Sequence, residues 1–179
     1  MLATDDALLV VVDVQGKLAR LMADKETVFA NIQRMIRGAQ ALSLPILWAE
    51  QIPDKLGATI PEIADLMADL EPIPKTSFSC AGDAAFMAAL EGHGRKQVLV
   101  VGIEAHVCVY RTAVDLAAAG YAVEVVADAI ASRIATTRDV GLRKMAALGV
   151  GLTSTEMALF ELLGDAGHPA FREVQAIVK

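Results

Sequence analysis

Apolar positions along this 179-residue chain fall into two patterns, short unbroken runs and longer stretches with a helical repeat. Ala7–Asp13 (ALLVVVD) is a continuous apolar run rich in β-branched residues, the pattern of a strand buried on both faces. Glu26–Leu42 repeats at helical spacing, with Phe29, Ile32, Ile36 and Ala39 on one side. Pro45–Glu50 and Pro72–Lys75 are predicted as a second and a third strand, and Asp83–Leu90 as a helix. Gln97–Gly102 (QVLVVG) is a fourth buried strand that runs into a helix from about His106 to Ala119, closed by Gly120. Tyr121–Ala127 is a fifth strand, Thr136–Leu148 a helix, and Val150–Ser154 a sixth strand. Helices at Glu156–Leu163 and Pro169–Val178 follow.

Strand and helix thus alternate with short connections, and no linker or repeat interrupts them. This predicts one domain over residues 1–179, an α/β fold in which a six-stranded parallel sheet is sandwiched between two helical layers. The alternation alone does not give the strand order. It does locate ligand chemistry, because such sheets bind ligands at the carboxyl ends of their strands, beside a switch in strand order.

Composition narrows the classes. The chain is 55% hydrophobic and 21% charged, with a positive mean hydropathy, yet no apolar run reaches the roughly 20 residues of a membrane-spanning helix. The surplus suits a sheet covered on both faces and a subunit interface, so a homo-oligomer, a dimer or larger, is expected. A net charge of −6 argues against nucleic-acid and membrane partners and leaves a small-molecule substrate. Met1–Asp6 is too polar to read as a signal peptide. Two widely separated cysteines match neither a disulfide scaffold nor a zinc site, so a cytoplasmic location is expected.

The polar residues at the predicted strand ends carry the candidate chemistry. Asp13 ends the first strand, where a carboxylate beside a buried sheet needs a partner. The glycine patterns of nucleotide sites are missing from the DVQG that follows. Lys75 ends the third strand. Cys108, in GIEAHVCVY, falls in the first turn of the helix after the fourth strand, where free amides and the dipole end favour a thiolate and can hold an oxyanion. Read singly, each has an ordinary explanation: a strand-end aspartate, a surface lysine, a small buried thiol. Together they form an acid, an amine and a thiol that a parallel sheet can bring to one place. Asp13 can take the thiol proton, and Lys75 can orient the carboxylate. His106 lies two residues from Cys108 and points elsewhere on a helix, so it is a poor partner. His93 and His168 read as loop and helix-start residues.

Three segments, DVQ after the first strand, KTSFS after the third and GIEAHVC after the fourth, resemble the isochorismatase-like cysteine hydrolases. The likeness is nearest to the branch called isochorismatase domain-containing proteins and extends to AEQIPDKLGATIPEI, DAIASR and LLGDAGHPAFREVQ. The resemblance implies the six-stranded fold, a catalytic triad of Asp13, Lys75 and Cys108, a cis peptide between Ile103 and Glu104, and an oxyanion hole made by the backbone amides of Glu104 and Cys108. It also implies substrates such as small amides, carbamoyl compounds or a vinyl ether. Ala105 stands where many relatives have threonine. Nicotinamidases of this family carry an Asp/His metal cluster after the second strand, where this chain has WAEQIPDKLG without histidine, so no metal or other cofactor is expected.

Gln15, Trp48, Glu50, Gln51, Phe78 and Ala105 are further candidates for the pocket wall. Arg133 is a candidate for a substrate carboxylate or for a pair across a dimer, Arg111 reads as a surface charge, and Cys80 as an inert buried thiol. Three function classes remain: a hydrolase of a C–N bond through a covalent thioester on Cys108, a binding or regulatory protein on the same fold, and a hydrolase of a non-amide bond. Substrate identity is not legible in the sequence.

Overall fold

The computed structural model describes residues 1–179. Six strands form one parallel sheet: β1 (Ala7–Val12), β2 (Ile46–Gln51), β3 (Ile73–Lys75), β4 (Gln97–Ile103), β5 (Ala122–Ala131) and β6 (Gly151–Thr153). Their order across the sheet is β3-β2-β1-β4-β5-β6, so the chain reverses its direction of growth between β1 and β4. Nine helices pack around the sheet: α1 (Gly16–Ala19), α2 (Lys25–Ala41), α3 (Pro53–Leu56), α4 (Pro61–Ala64), α5 (Ala84–Gly92), α6 (Tyr110–Ala118), α7 (Ala135–Ala147), α8 (Thr155–Leu163) and α9 (Phe171–Val178). No helix is long and apolar enough to cross a membrane.

The unbroken apolar runs have a simple cause: β1 is fully buried and supplies both cores. Ala7, Leu9 and Val11 face the layer of α2, α8 and α9, whereas Leu8, Val10 and Val12 face the layer of α5, α6 and α7. β4 does the same, with Leu99, Val101 and Ile103 on the first side and Val98 and Val100 on the second. A two-residue side-chain period on a strand covered from both sides requires apolar residues at every position. The predicted face of α2 is the buried one, with Phe29, Ile32, Ile36 and Ala39 all in the first core.

Three expectations are corrected. The fifth strand runs to Ala131 rather than Ala127, with a register irregularity against β4 between Val100 and Gly102. Asp128, which reads as a strand-ending polar residue, is held inside the strand because its Oδ1 accepts from the Thr155 amide (2.8 Å) and hydroxyl (2.9 Å) at the start of α8. The helix bearing Cys108 opens with a π-helical turn over Ala105–Val109, in which Glu104 O accepts from Val109 N at 3.3 Å. The short helices α1, α3 and α4, absent from the sequence reading, fold over the carboxyl ends of β1 and β2.

Two glycines let backbone approach backbone at this end of the sheet. Gly102 has φ +120°, and a Cβ there would lie 2.1 Å from Val12 O. Gly141 of α7 packs against the turn that holds Cys108, 3.1 Å from Ala105 O to where a Cβ would sit.

Candidate active site

The strand order places the ends of β1 and β4 side by side, with β2 and β3 next in line, and the candidate residues come from these ends. Asp13 leaves β1 with φ 53°, a left-handed conformation that aspartate tolerates better than most residues and that turns the chain sharply out of the sheet. Lys75 closes β3, opposite Gln51 of β2 in the parallel register.

Lys75 Nζ is buried and surrounded by oxygens. It donates to Asp13 Oδ2 at 2.8 Å and to Gln51 Oε1 at 2.7 Å, with Ser77 O at 3.2 Å and Phe78 O at 3.5 Å. Asp13 Oδ1, the other carboxylate oxygen, is buried without an aligned hydrogen bond. The Cys108 thiol is close enough to the Asp13 carboxyl for each group to act on the other's titration. Burial raises the Asp13 carboxyl above its ordinary value and Lys75 opposes the rise. The Cys108 thiol is pushed well up, by burial first and then by the negative charge of Asp13, with Lys75 counteracting. Desolvation and the carboxylate outweigh Lys75, and the resting group is a thiol facing a base.

These groups border a cavity of about 110 Å3. Asp13, Gln51, Glu104 and Cys108 form its polar side, and Phe78 stands half out of the protein at its mouth. The peptide between Ile103 and Glu104 is cis. The Glu104 amide has no acceptor in the protein's hydrogen-bond network. Its carboxylate is anchored to Arg133, accepting from the Arg133 amide at 3.0 Å and from Nε at 3.1–3.2 Å.

Four of the pocket candidates lie elsewhere. Gln15 is fully buried and bridges the loops: its Nε2 donates to Gln51 O and Gly57 O, and its Oε1 accepts from Gln51 N. Glu50 points to the opposite face of β2 from Gln51, where Oε1 accepts from Thr59 N (2.6 Å) and Thr59 Oγ1 (2.8 Å). Trp48 donates to the same Thr59 hydroxyl at 2.8 Å and lies in the core. Ala105 is buried in the second core. Leu18, Leu56, Ile103 and Val107 line the cavity and were missed.

Other candidates settle simply. His106 Nδ1 bonds Ser132 Oγ at 2.8 Å. His168 Nδ1 accepts from Ala170 N, and Arg111 pairs with Asp115 on the surface of α6. Arg133 binds Glu104 through its amide and Nε, and it does not line the cavity. Cys80 lies fully inside the second core, its thiol pushed up to about 12 by burial. After the second strand, Glu50 accepts from Thr59 and Gln51 accepts from the Lys75 ammonium.

Residues 7–157 match the model of the Isochorismatase domain. The chain is 41% identical over 147 residues to isochorismatase domain-containing protein 1 of Salmo salar, an alignment that covers 82% of this chain. It spans about half the length of that relative, 52%. Isochorismatase domain-containing protein 2 of Danio rerio is 35% identical over 177 residues, covering 99% of this chain and 89% of the relative. A solved structure described as MAR1 ribonuclease from Caenorhabditis elegans superposes with a TM-score of 0.92 at 35% identity, covering 99% of this chain and 91% of the other. The YcaC gene product of Escherichia coli, described as an octameric hydrolase of unknown specificity, has the same fold, with a TM-score of 0.89 at 24% identity, covering 99% and 86%.

Proposed function

This chain belongs to the isochorismatase domain family of hydrolases, and from that premise we propose that it hydrolyses a small-molecule amide or related C–N bond through a thioester on Cys108. The observation that carries this reading is the buried Lys75–Asp13 pair, 2.8 Å apart, whose second carboxylate oxygen is buried without a hydrogen-bond partner while the carboxyl and the Cys108 thiol act on each other's titration. A thiol held protonated by burial needs a base that works only at the moment of attack, and Asp13 is placed for that.

In the proposed reaction the Cys108 sulfur attacks the carbonyl carbon as Asp13 takes the thiol proton. The C–S bond forms, and the carbonyl oxygen becomes an oxyanion facing the Glu104 and Cys108 amides. Protonated Asp13 gives its proton to the amine nitrogen, the C–N bond breaks, and the amine leaves a thioester. Asp13 then takes a proton from water, whose oxygen attacks the thioester. The C–S bond breaks, and the proton returns to the thiol as the acid departs. Lys75 stays charged throughout and offsets the carboxylate.

Mass spectrometry with a panel of small amides and carbamoyl compounds tests this reading. An acyl adduct on Cys108, absent in Cys108→Ala, is the expected result. If Cys108 in the native protein stays unlabelled by iodoacetamide while reagent enters the cleft, the binding-protein reading replaces it. That second reading has one observation in its favour, the raised pKa of the resting thiol. The ribonuclease description of the Caenorhabditis elegans protein fits this chain less well, because a net charge of −6 and a small cavity without a spare cation suit RNA phosphates poorly.

We further propose a homo-oligomer in a reducing compartment. Ile134, Val140, Leu148 and Met157 are all more than half exposed, apolar surface of the kind that subunits cover, and both cysteines are free. Light scattering that returned a monomer at micromolar concentration would count against the assembly.

A further inference from the structure

The cavity beside Cys108 has unusually little to offer a ligand beyond the reacting groups. Leu18, Leu56, Phe78, Ile103 and Val107 form its apolar wall. Its polar members are spent within the protein. Gln51 gives Oε1 to Lys75 and Nε2 to Thr76 O, at 2.7 Å each. Glu104 is held by Arg133, and Lys75, whose side chain is fully buried, directs its ammonium at four protein oxygens. No arginine or lysine lines the cavity to meet a substrate carboxylate.

An anionic substrate would therefore lose its hydration without gaining a partner. It would also bring a second negative charge next to Asp13 and the developing thiolate. Size adds a further limit. A dry apolar cavity of about 150 Å3 takes a benzene molecule, and this one measures about 110 Å3. A short flexible chain suits this space better than a rigid aromatic ring, which would project through the mouth. An acyl chain held inside the cavity would leave the amine toward the open mouth, at Phe78.

Resting on the reading of Cys108 as the nucleophile of an amide hydrolase, we propose that this site selects substrates whose acyl part is a short, uncharged aliphatic chain. It discriminates against acyl groups that carry a carboxylate or an aromatic ring. The selection is made by the wall and not by the reacting groups, so it is measurable without turnover.

Butyramide and succinamate differ only in replacement of the terminal methyl by a carboxylate, and benzamide supplies the ring. Binding of the three to the Cys108→Ala protein, followed by NMR titration, should rank butyramide at least tenfold tighter than succinamate and tighter than benzamide. A cation introduced on the wall by Leu56→Lys in the same background should raise succinamate affinity at least tenfold. Undetectable butyramide binding, succinamate binding as tightly as butyramide, or benzamide binding tighter than either overturns the proposal. The hydrolase reading is judged separately, by the acyl adduct that butyramide leaves on wild-type Cys108. Preferential butyramide binding without an adduct would sink that reading while the selectivity of the wall stood.

Discussion

Arg133, just past the end of β5, holds the carboxylate of Glu104 through both its backbone amide and its Nε, at 3.0 to 3.2 Å. The residue whose free amide borders the cavity is thus fastened by its own side chain to the neighbouring strand. Arg133→Ala should remove the Nε part of that anchor and leave only the backbone amide on the carboxylate. The expected result is a fall in kcat of about 10- to 100-fold with little change in KM, because a misplaced oxyanion donor weakens only the transition state. Arg133→Lys should recover part of the loss. Unchanged kcat in the alanine variant would reduce the pair to a surface ornament.

Lys75→Met removes the sole cation bonded to Asp13 and leaves a buried carboxylate. Denaturant unfolding at neutral pH should show a loss of about 3 kcal/mol. The pH dependence has a definite sign. Asp13 is raised in the folded protein, so its contribution is fully present below the unfolded value near 3.8 and is lost as pH rises through the folded value. Loss of Lys75 raises that folded value further, so the variant should be least impaired in acid. A deficit that grew as pH fell would contradict this account.

The rate of turnover should report the same carboxylate. With Asp13 raised by burial, kcat/KM should decline on the acid side at a pH above the ordinary aspartate range. With the Cys108 thiol also raised, no gain is expected as pH passes about 8.5, the ordinary thiol value. Asp13→Asn should abolish turnover while circular dichroism stays native. A rate that climbed steadily through the thiol range would mean that free thiolate, and not the carboxylate-assisted thiol, is the attacking species.

Gly102→Ala tests the close approach of β4 to β1. The new Cβ would sit 2.1 Å from Val12 O, at a φ of +120° that L-residues avoid. Destabilisation of about 2 kcal/mol or more is expected in a denaturant titration. Activity should fall further than stability predicts, because Val12 precedes Asp13 and Gly102 precedes the Ile103–Glu104 peptide. A variant with native stability would show that the two strands separate at no cost.

Much of this fold was readable in one dimension because burial on both faces leaves a mark at every residue. Leu8 through Val12 could be nothing but an interior strand, and Phe29, Ile32, Ile36 and Ala39 declared the inner side of α2 before any contact was known. Asp13 stood out because it follows such a run with a charge that burial penalises, and Lys75 and Cys108 because they fall at the ends of two other predicted strands. What the chain could not declare was set by register and strand order. The order β3-β2-β1-β4-β5-β6 brings together carboxylate and ammonium groups 62 residues apart in sequence, and alternation tells nothing of order. Glu50 and Gln51 are equally polar neighbours at one strand end. The two-residue pleat sends Gln51 to Lys75 and Glu50 to Thr59 on the opposite face. Arg133, a candidate in the sequence for a substrate carboxylate or a dimer pair, instead meets Glu104 at the end of the longer β5. Local pattern determined which residues are inside; long-range pairing, which no window of sequence contains, decided which of the polar ones meet.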